Sequence, residues 1–363
     1  MKALLSAFIL ICFSLPVICQ ETTEDSKVFT NVDVEIIFKD DVSIRAIEVS
    51  EKDIFYAGSN GKFGHFKIEK NVKLNDGRIV PEVYKTIANE TVAYEGKTPE
   101  FRSVAETEDS FFFLSVDNPA LLYRYDKVKP KITLVYTESA EGVFYDSMKF
   151  WNEKEGIAMG DPMNGCLSVI VTRNGGKSWE KLSCDILPAT VDGEAAFAAS
   201  NSNIAIEGDH TWIISGGKKS RVFHSSDKAE TWEVFETPIV QGKETTGGYS
   251  IDFYDEKNGF IIGGDYLDPT NNTANKAFTT DGGKTWELVA DGSGPGYKSS
   301  VKFVPDSNGN ELVAVGGDGI SYSSDGGKTW KLLSKEGFHS IEFLNNNTAF
   351  AAGNGKIAKL VFK

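Results

Sequence analysis

The octamer "TTDGGKTW" (279–286) returns as "SSDGGKTW" (323–330) within one chain of 363 residues. Each copy follows an alternating run, "KAFTT" or "GISYSS", and leads into another, "WELVA" or "WKLLS". Period-two alternation on both sides of a glycine-rich tip is the pattern of a β-hairpin. In such a tip glycine supplies the positive φ of a tight turn. The carboxylates of Asp281 and Asp325 can accept backbone N–H groups, and Trp286 and Trp330 open the outgoing strand with a large apolar face. Every residue of the octamer therefore has a structural task.

Two weaker copies come earlier, "TRNGGKSW" (172–179) with Asn174 in place of the aspartate, and "SSDKAETW" (225–232) around Asp227. Their tryptophans, Trp179 and Trp232, fall in series with the later pair at intervals of roughly 45–55 residues, the period of a stacked supersecondary unit. Upstream of the hairpins, seven segments can be set in register: "IRAIEV" (44), "FRSVAE" (101), "YDSMKF" (145), "GEAAFA" (193), "GYSIDF" (248), "SSVKFV" (299) and "FHSIEF" (338). They align a small residue (Ala46, Ser103, Ser147, Ala195, Ser250, Ser300, Ser340) ahead of an apolar one (Ile47, Val104, Met148, Ala196, Ile251, Val301, Ile341). A second strand in each unit closes on Gly58, Gly160, Gly216, Gly264, Gly317 or Gly353, with Val116 as the exception. Small residues suit innermost strands that converge on an axis. These repeats predict an all-β, seven-bladed β-propeller of four-stranded blades, with units starting near 44, 101, 145, 193, 248, 298 and 338. The last unit lacks a fourth strand, and the alternating segment 32–40 belongs to no unit of its own. That segment is expected to complete the last blade and hide the open edges. Residues 20–363 then form a single domain.

The octamers resemble the Asp box, S/T-x-D-x-G-x-T-W, of β-propellers found in sialidases, xyloglucan hydrolases, sortilin-like receptors and photosystem II assembly factors. With "GEAAFA" and "MGDP" included, the chain from about residue 30 onward is most similar to exported propellers of the photosystem II stability or assembly factor-like family. The resemblance implies that Asn174, Trp179, Asp227, Trp232, Asp281, Trp286, Asp325 and Trp330 are structural and lie on the rim away from the ligand face. It also implies a non-catalytic scaffold that contacts a partner through arginines.

Function is accordingly sought on the opposite face, where first strands begin and second strands end. The starting positions hold Arg45, Arg102, Asp146, Glu194, Tyr249, Ser299 and His339; the positions past the glycines include Asp117, Asp161, Asp265, Asp318 and Asn354. The candidate ligand or partner face is therefore Arg45, Arg102, Asp146, Asp161, Glu194, Tyr249, Asp265, Asp318 and His339. These side chains either fasten the ring through mutual salt bridges or receive a ligand. The loops "GDYLDPTNNTANKA" (264–277), "GDPMNGC" (160–166) and "ADGSGPGYKS" lengthen the same side. Only two of the six arginines fall in this ring and the sialidase "RIP" sequence is absent, so a protein-binding or assembly platform is expected. The alternative is a glycan-binding protein or a glycoside hydrolase using Asp146 and Glu194 as acid and base.

Composition narrows the remainder. A net charge of −14, from 38 Lys+Arg against 52 Asp+Glu, argues against nucleic acid. Lys2, the apolar run Ala3–Leu15 and "PVICQ" have the layout of a signal peptide over residues 1–19, too short to span a bilayer. An exported, periplasmic or secreted monomer without a transmembrane segment is expected, cleaved before Gln20 in preference to lipidation at Cys19. Cys166 and Cys184 sit nine residues either side of Gly175, so a hairpin at "RNGG" brings them opposite each other as a disulfide or as two buried thiols. The histidines His65, His210, His224 and His339 are scattered, and no metal or cofactor motif occurs; neither a metal nor a cofactor is expected.

Overall fold

The computed structural model describes residues 28–74 and 76–363; the signal-peptide expectation for residues 1–19 lies outside them. Antiparallel strands radiate from a central axis as a β-propeller, and no helix is long and apolar enough to cross a membrane among the described residues. The expected count is corrected. The strands form six hydrogen-bonded blades, not seven: four sheets have four strands and two have six. The cause is the strand Val32–Val49. Its first part pairs with Thr348–Phe362, from Val32↔Phe362 to Ser43↔Asn354, and its last part with Asp53–Gly58. Register shifts let this one strand bend between partners, so the first and last units fuse into one sheet and the ring has no open edge there.

Apolar alternation builds the core between neighbouring sheets. In Ser110–Ser115, Phe111 and Phe113 face one way and Phe112 the other. Phe111 stacks on Phe55 at 4.2 Å, whereas Phe112 meets Phe150 at 4.8 Å and Trp179 at 6.3 Å. One run of phenylalanines thus serves two interfaces.

The octamers form turns in which the carboxylate ties the chain to itself. Asp281 Oδ1 accepts the Thr285 amide at 2.9 Å, Thr285 Oγ1 donates to Asp281 Oδ2 at 2.7 Å, and Trp286 Nε1 donates to Gly283 O at 2.9 Å. Asp325 and Trp330 repeat the set, with Thr329 and Gly327 as partners. Asp227 holds Thr231, and Trp232 donates to Ala229 O; Asn174 accepts the Ser178 amide. At Gly327 (φ 83°) a Cβ would stand 2.3 Å from Phe260, so both conformation and space require glycine. Cys166 and Cys184 are joined by a disulfide, Cα–Cα 5.6 Å.

Candidate functional site

The face opposite the Asp-box turns opens into a cup of about 620 Å³. Its walls come from the beginnings of inner strands, where backbones are closest and side chains from distant sequence meet. Arg45, Arg102, Asp161, Tyr249, Ser299 and His339, all singled out by register, line it. Tyr266 and Tyr297 join them from the two loops already flagged as lengthening this side, together with Phe144 and Glu244.

The cup has a floor that the repeat alignment does not foresee. Alignment places an inner strand at "GEAAFA", but only Glu194–Ala195 is extended there, paired with Gly216–Gly217. The strand in register with His210–Ile214 is Ile204–Glu207, so the small and apolar positions belong to Asn203 and Ile204. The intervening residues cross the channel. Asn201 Nδ2 donates to Val104 O at 2.7 Å, and Asn201 Oδ1 accepts the Met148 amide at 3.0 Å. Across the ring, Ser200 Oγ donates to Ser299 O at 2.6 Å and the Ile251 amide donates to Ser202 O at 2.9 Å. Asn201 adopts φ 62°, a left-handed conformation that asparagine tolerates better than most residues. Ala195 to Ala199 form the upper surface of this bridge.

The arginines rest on the floor. Arg45 Nη1 donates to Ala199 O at 3.4 Å and Arg102 Nη1 to Ala198 O at 3.5 Å. Arg102 also meets Glu100 at 3.2 Å. The Nε of Arg45 is buried without a partner. Burial, and then the neighbouring Arg102, hold the Arg45 pKa below its ordinary value. Opposite lies an aromatic wall: Tyr249 stacks on Phe197 at 3.9 Å and 4°, and Tyr297 stands edge-on to Tyr249 at 4.7 Å. Burial pushes the Tyr297 hydroxyl up to about 12. His339 Nε2 donates to Asn354 Oδ1 at 2.8 Å, and burial followed by Arg45 pushes its pKa down to about 4.

The other sequence candidates have different places. Asp146 lies under the floor, fully buried, with neither carboxylate oxygen meeting a partner of good geometry. Burial and then Asp161 raise its pKa well above the carboxylate range; Arg102 and the Ala198 amide oppose this without offsetting it. Glu194 is not in the cup. It binds Arg221 through both oxygens, Oε1 to Nε at 3.0 Å and Oε2 to Nη2 at 2.5 Å. Neither member of the candidate acid–base pair, Asp146 and Glu194, lines the cup. Asp318 pairs with buried Lys298 at 2.6 Å, and Asp265 accepts the Leu267 amide and meets Lys243 at 3.4 Å. No group of His, Cys, Asp and Glu that could hold a metal occurs among the described residues.

One layer below the floor, a second constellation was not singled out from sequence: Glu48, Lys149, Asp252, Lys302 and Glu342. Each follows an aligned apolar residue (Ile47, Met148, Ile251, Val301, Ile341), so the same alignment contains the signal. Lys302 Nζ lies 2.9 Å from Glu342 and 3.9 Å from Asp252, and Lys149 lies 4.0 Å from Glu342. Burial pushes Glu48 up to about 8 against the pull of Lys149.

Radial sheets with Asp-box turns on one rim and a floored, arginine-bearing cup on the other define an Asp-box β-propeller. The BNR/Asp-box repeat signature matches residues 277–288 and 321–332. No characterised protein matches the chain in sequence. In fold the chain is similar to "YCF48 bound to D1 peptide", with TM-score 0.61, 12% identity, and 92% of this chain and 96% of that chain covered. It is also similar to "YCF48 from Cyanidioschyzon merolae" (0.58, 15%, 92% and 98%) and to the WD40 repeats of RRP9 (0.58, 12%, 91% and 98%).

Proposed function

We propose that this propeller is a non-catalytic platform whose cup receives a segment of a partner protein. Arg45 and Arg102 contact an acidic group of that segment, and Tyr249, Tyr266 and Tyr297 pack against its apolar part. The observation carrying this reading is the pair of adjacent guanidiniums in an open cup, one with a buried, unpartnered Nε, because a buried donor without an acceptor costs free energy that a bound group can return. The fold likeness to YCF48, a protein seen with a peptide, supports it. The leader-like layout of residues 1–19 supports an exported setting. Capture from the native cell envelope tests the reading: a co-purifying protein is expected with the wild type and lost with Arg45→Gln/Arg102→Gln. Retention of the same protein by the double variant overturns the cup as the contact.

A further inference from the structure

Two orphaned polar groups flank the floor of the cup, Arg45 lining it and Asp146 buried outside the lining. Arg45 keeps a buried Nε without an acceptor, and Asp146 keeps a buried carboxyl without a donor of good geometry. They do not satisfy each other, because the floor carbonyls of Ala198 and Ala199 take the arginine Nη1 atoms and Asp146 lies beneath the floor. The groups facing Asp146 are Asp161 from the adjoining strand, Arg102 from the neighbouring sheet and the Ala198 amide above. Arg102 in turn faces Glu100, while Arg45 faces Arg102, Tyr297 and Glu100; both arginines face His339. Asp161 lines the cup itself, its Oδ1 accepting the Ala196 amide at 2.7 Å.

Resting on the reading of the cup as a contact site, we propose that it binds an anionic group together with a proton, the proton residing on the Asp146–Asp161 pair. An arriving anion and an ionised Asp146 compete for Arg102. With Glu100 already beside Arg102, an ionised pair and an arriving anion bring at least four negative charges against two positive ones in a partly desolvated site, and protonating the pair removes part of that excess. Burial favours the neutral acid of Asp146 and raises Asp161 too, so the proton is available well above the ordinary carboxylate range. Anion affinity is therefore highest where the pair is protonated and falls as pH rises through its titration. With one linked proton the fall reaches at most about tenfold per pH unit.

Inorganic sulfate is the probe, because its charge is constant over the range tested and any pH dependence belongs to the protein. Calorimetric titration between pH 5 and 9, in buffers of different ionisation enthalpy, reads affinity and proton uptake together. The wild type is expected to bind sulfate with uptake of up to one proton and to weaken with rising pH. Asp146→Asn is expected to hold the acid-side affinity across the range, and His339→Gln to keep the wild-type profile. Arg45→Gln/Arg102→Gln is expected to lose binding. A flat wild-type profile, an unchanged profile in Asp146→Asn, transfer of the pH dependence to His339, or sulfate binding that survives loss of both arginines overturns the proposal. Should Asp146→Asn not fold, Asp161→Asn supplies the same comparison from the cup side. A partner captured through the arginines with no proton uptake would sink the linkage and leave the platform reading standing.

Discussion

The channel of this propeller holds two charged layers separated by one strip of chain, and they differ in how charge is used. Below the floor, Lys302 is shared by Glu342 and Asp252, and Lys149 adds to Glu342, so cations and carboxylates answer each other. Above it, among the described residues, Arg45 faces Arg102 and has no carboxylate in contact, Arg102 has only Glu100 at 3.2 Å, and burial raises the pKa of the Asp146 carboxyl beneath the floor. Both layers come from the same inner strands, three residues apart. Matched charge fastens sheets together, whereas unmatched charge costs the fold something and persists where a ligand supplies the balance. The upper layer is therefore the place to look for function.

The largest expected effect lies below the floor. Burial works against the Lys302 ammonium, but Glu342 and then Asp252 hold it above lysine's usual range. Lys302→Met leaves Asp252 without its ammonium and Glu342 with Lys149 alone at 4.0 Å in a largely buried setting, and breaking such a pair costs about 3–5 kcal/mol. Urea unfolding is expected to move its midpoint down accordingly. A loss under about 1 kcal/mol would mean that the lower layer is not a fastener and that the contrast between the layers is false.

A smaller effect concerns the proton count of the lower layer. Three carboxylates, Glu48, Asp252 and Glu342, stand against the two ammoniums of Lys149 and Lys302, so one carboxyl is expected to stay protonated. Burial assigns that role to Glu48, raised from 4.5 to about 8. The sign follows directly: the folded state keeps a proton that the unfolded chain releases between these values. The stability contributed by protonated Glu48 is present below pH 4.5 and lost as the pH rises through about 8, on the order of 1–2 kcal/mol after allowance for relaxation. Comparing urea midpoints at pH 5 and pH 9, Glu48→Gln should decline less than the wild type. An equal decline in both would place the proton elsewhere.

How far these layers were legible in sequence depended on the range of the interactions. The Asp boxes could be read because their bonds are local: Asp281 meets Thr285 four residues on, and the motif states its own geometry. Register alone brought Arg45, Arg102, Asp161, Tyr249 and His339 into one cup, since small residues mark where inner strands converge. The floor escaped because "GEAAFA" carries the same small and apolar letters as a strand start. What distinguishes it is Asn201 reaching Val104 and Ser200 reaching Ser299, contacts across the ring that no local pattern encodes. Glu194 was misplaced for the same reason, its partner Arg221 lying on a later strand. The blade count failed at a junction: whether 32–40 and 44–49 are two strands or one depends on a bend near Ser43, and the chain passes through it without a break.

The smallest change in stability is expected above the floor, and it is the sharpest test of the contrast. Arg45→Met keeps the stem against the cup wall and removes a guanidinium whose hydrogen bonding is a single contact of 3.4 Å to Ala199 O. Loss of a partly buried cation with no carboxylate in contact among the described residues relieves some desolvation cost, so the unfolding free energy from urea titration should change by less than about 1 kcal/mol in either direction. The charge itself is expected to be felt by His339, which burial and then Arg45 push down to about 4. With Arg45 gone the imidazole should titrate at higher pH, followed through its ring-proton chemical shift. A large loss of stability in Arg45→Met would make the arginine a fastener like Lys302. An unmoved His339 would mean that Arg45 does not set the potential of the cup.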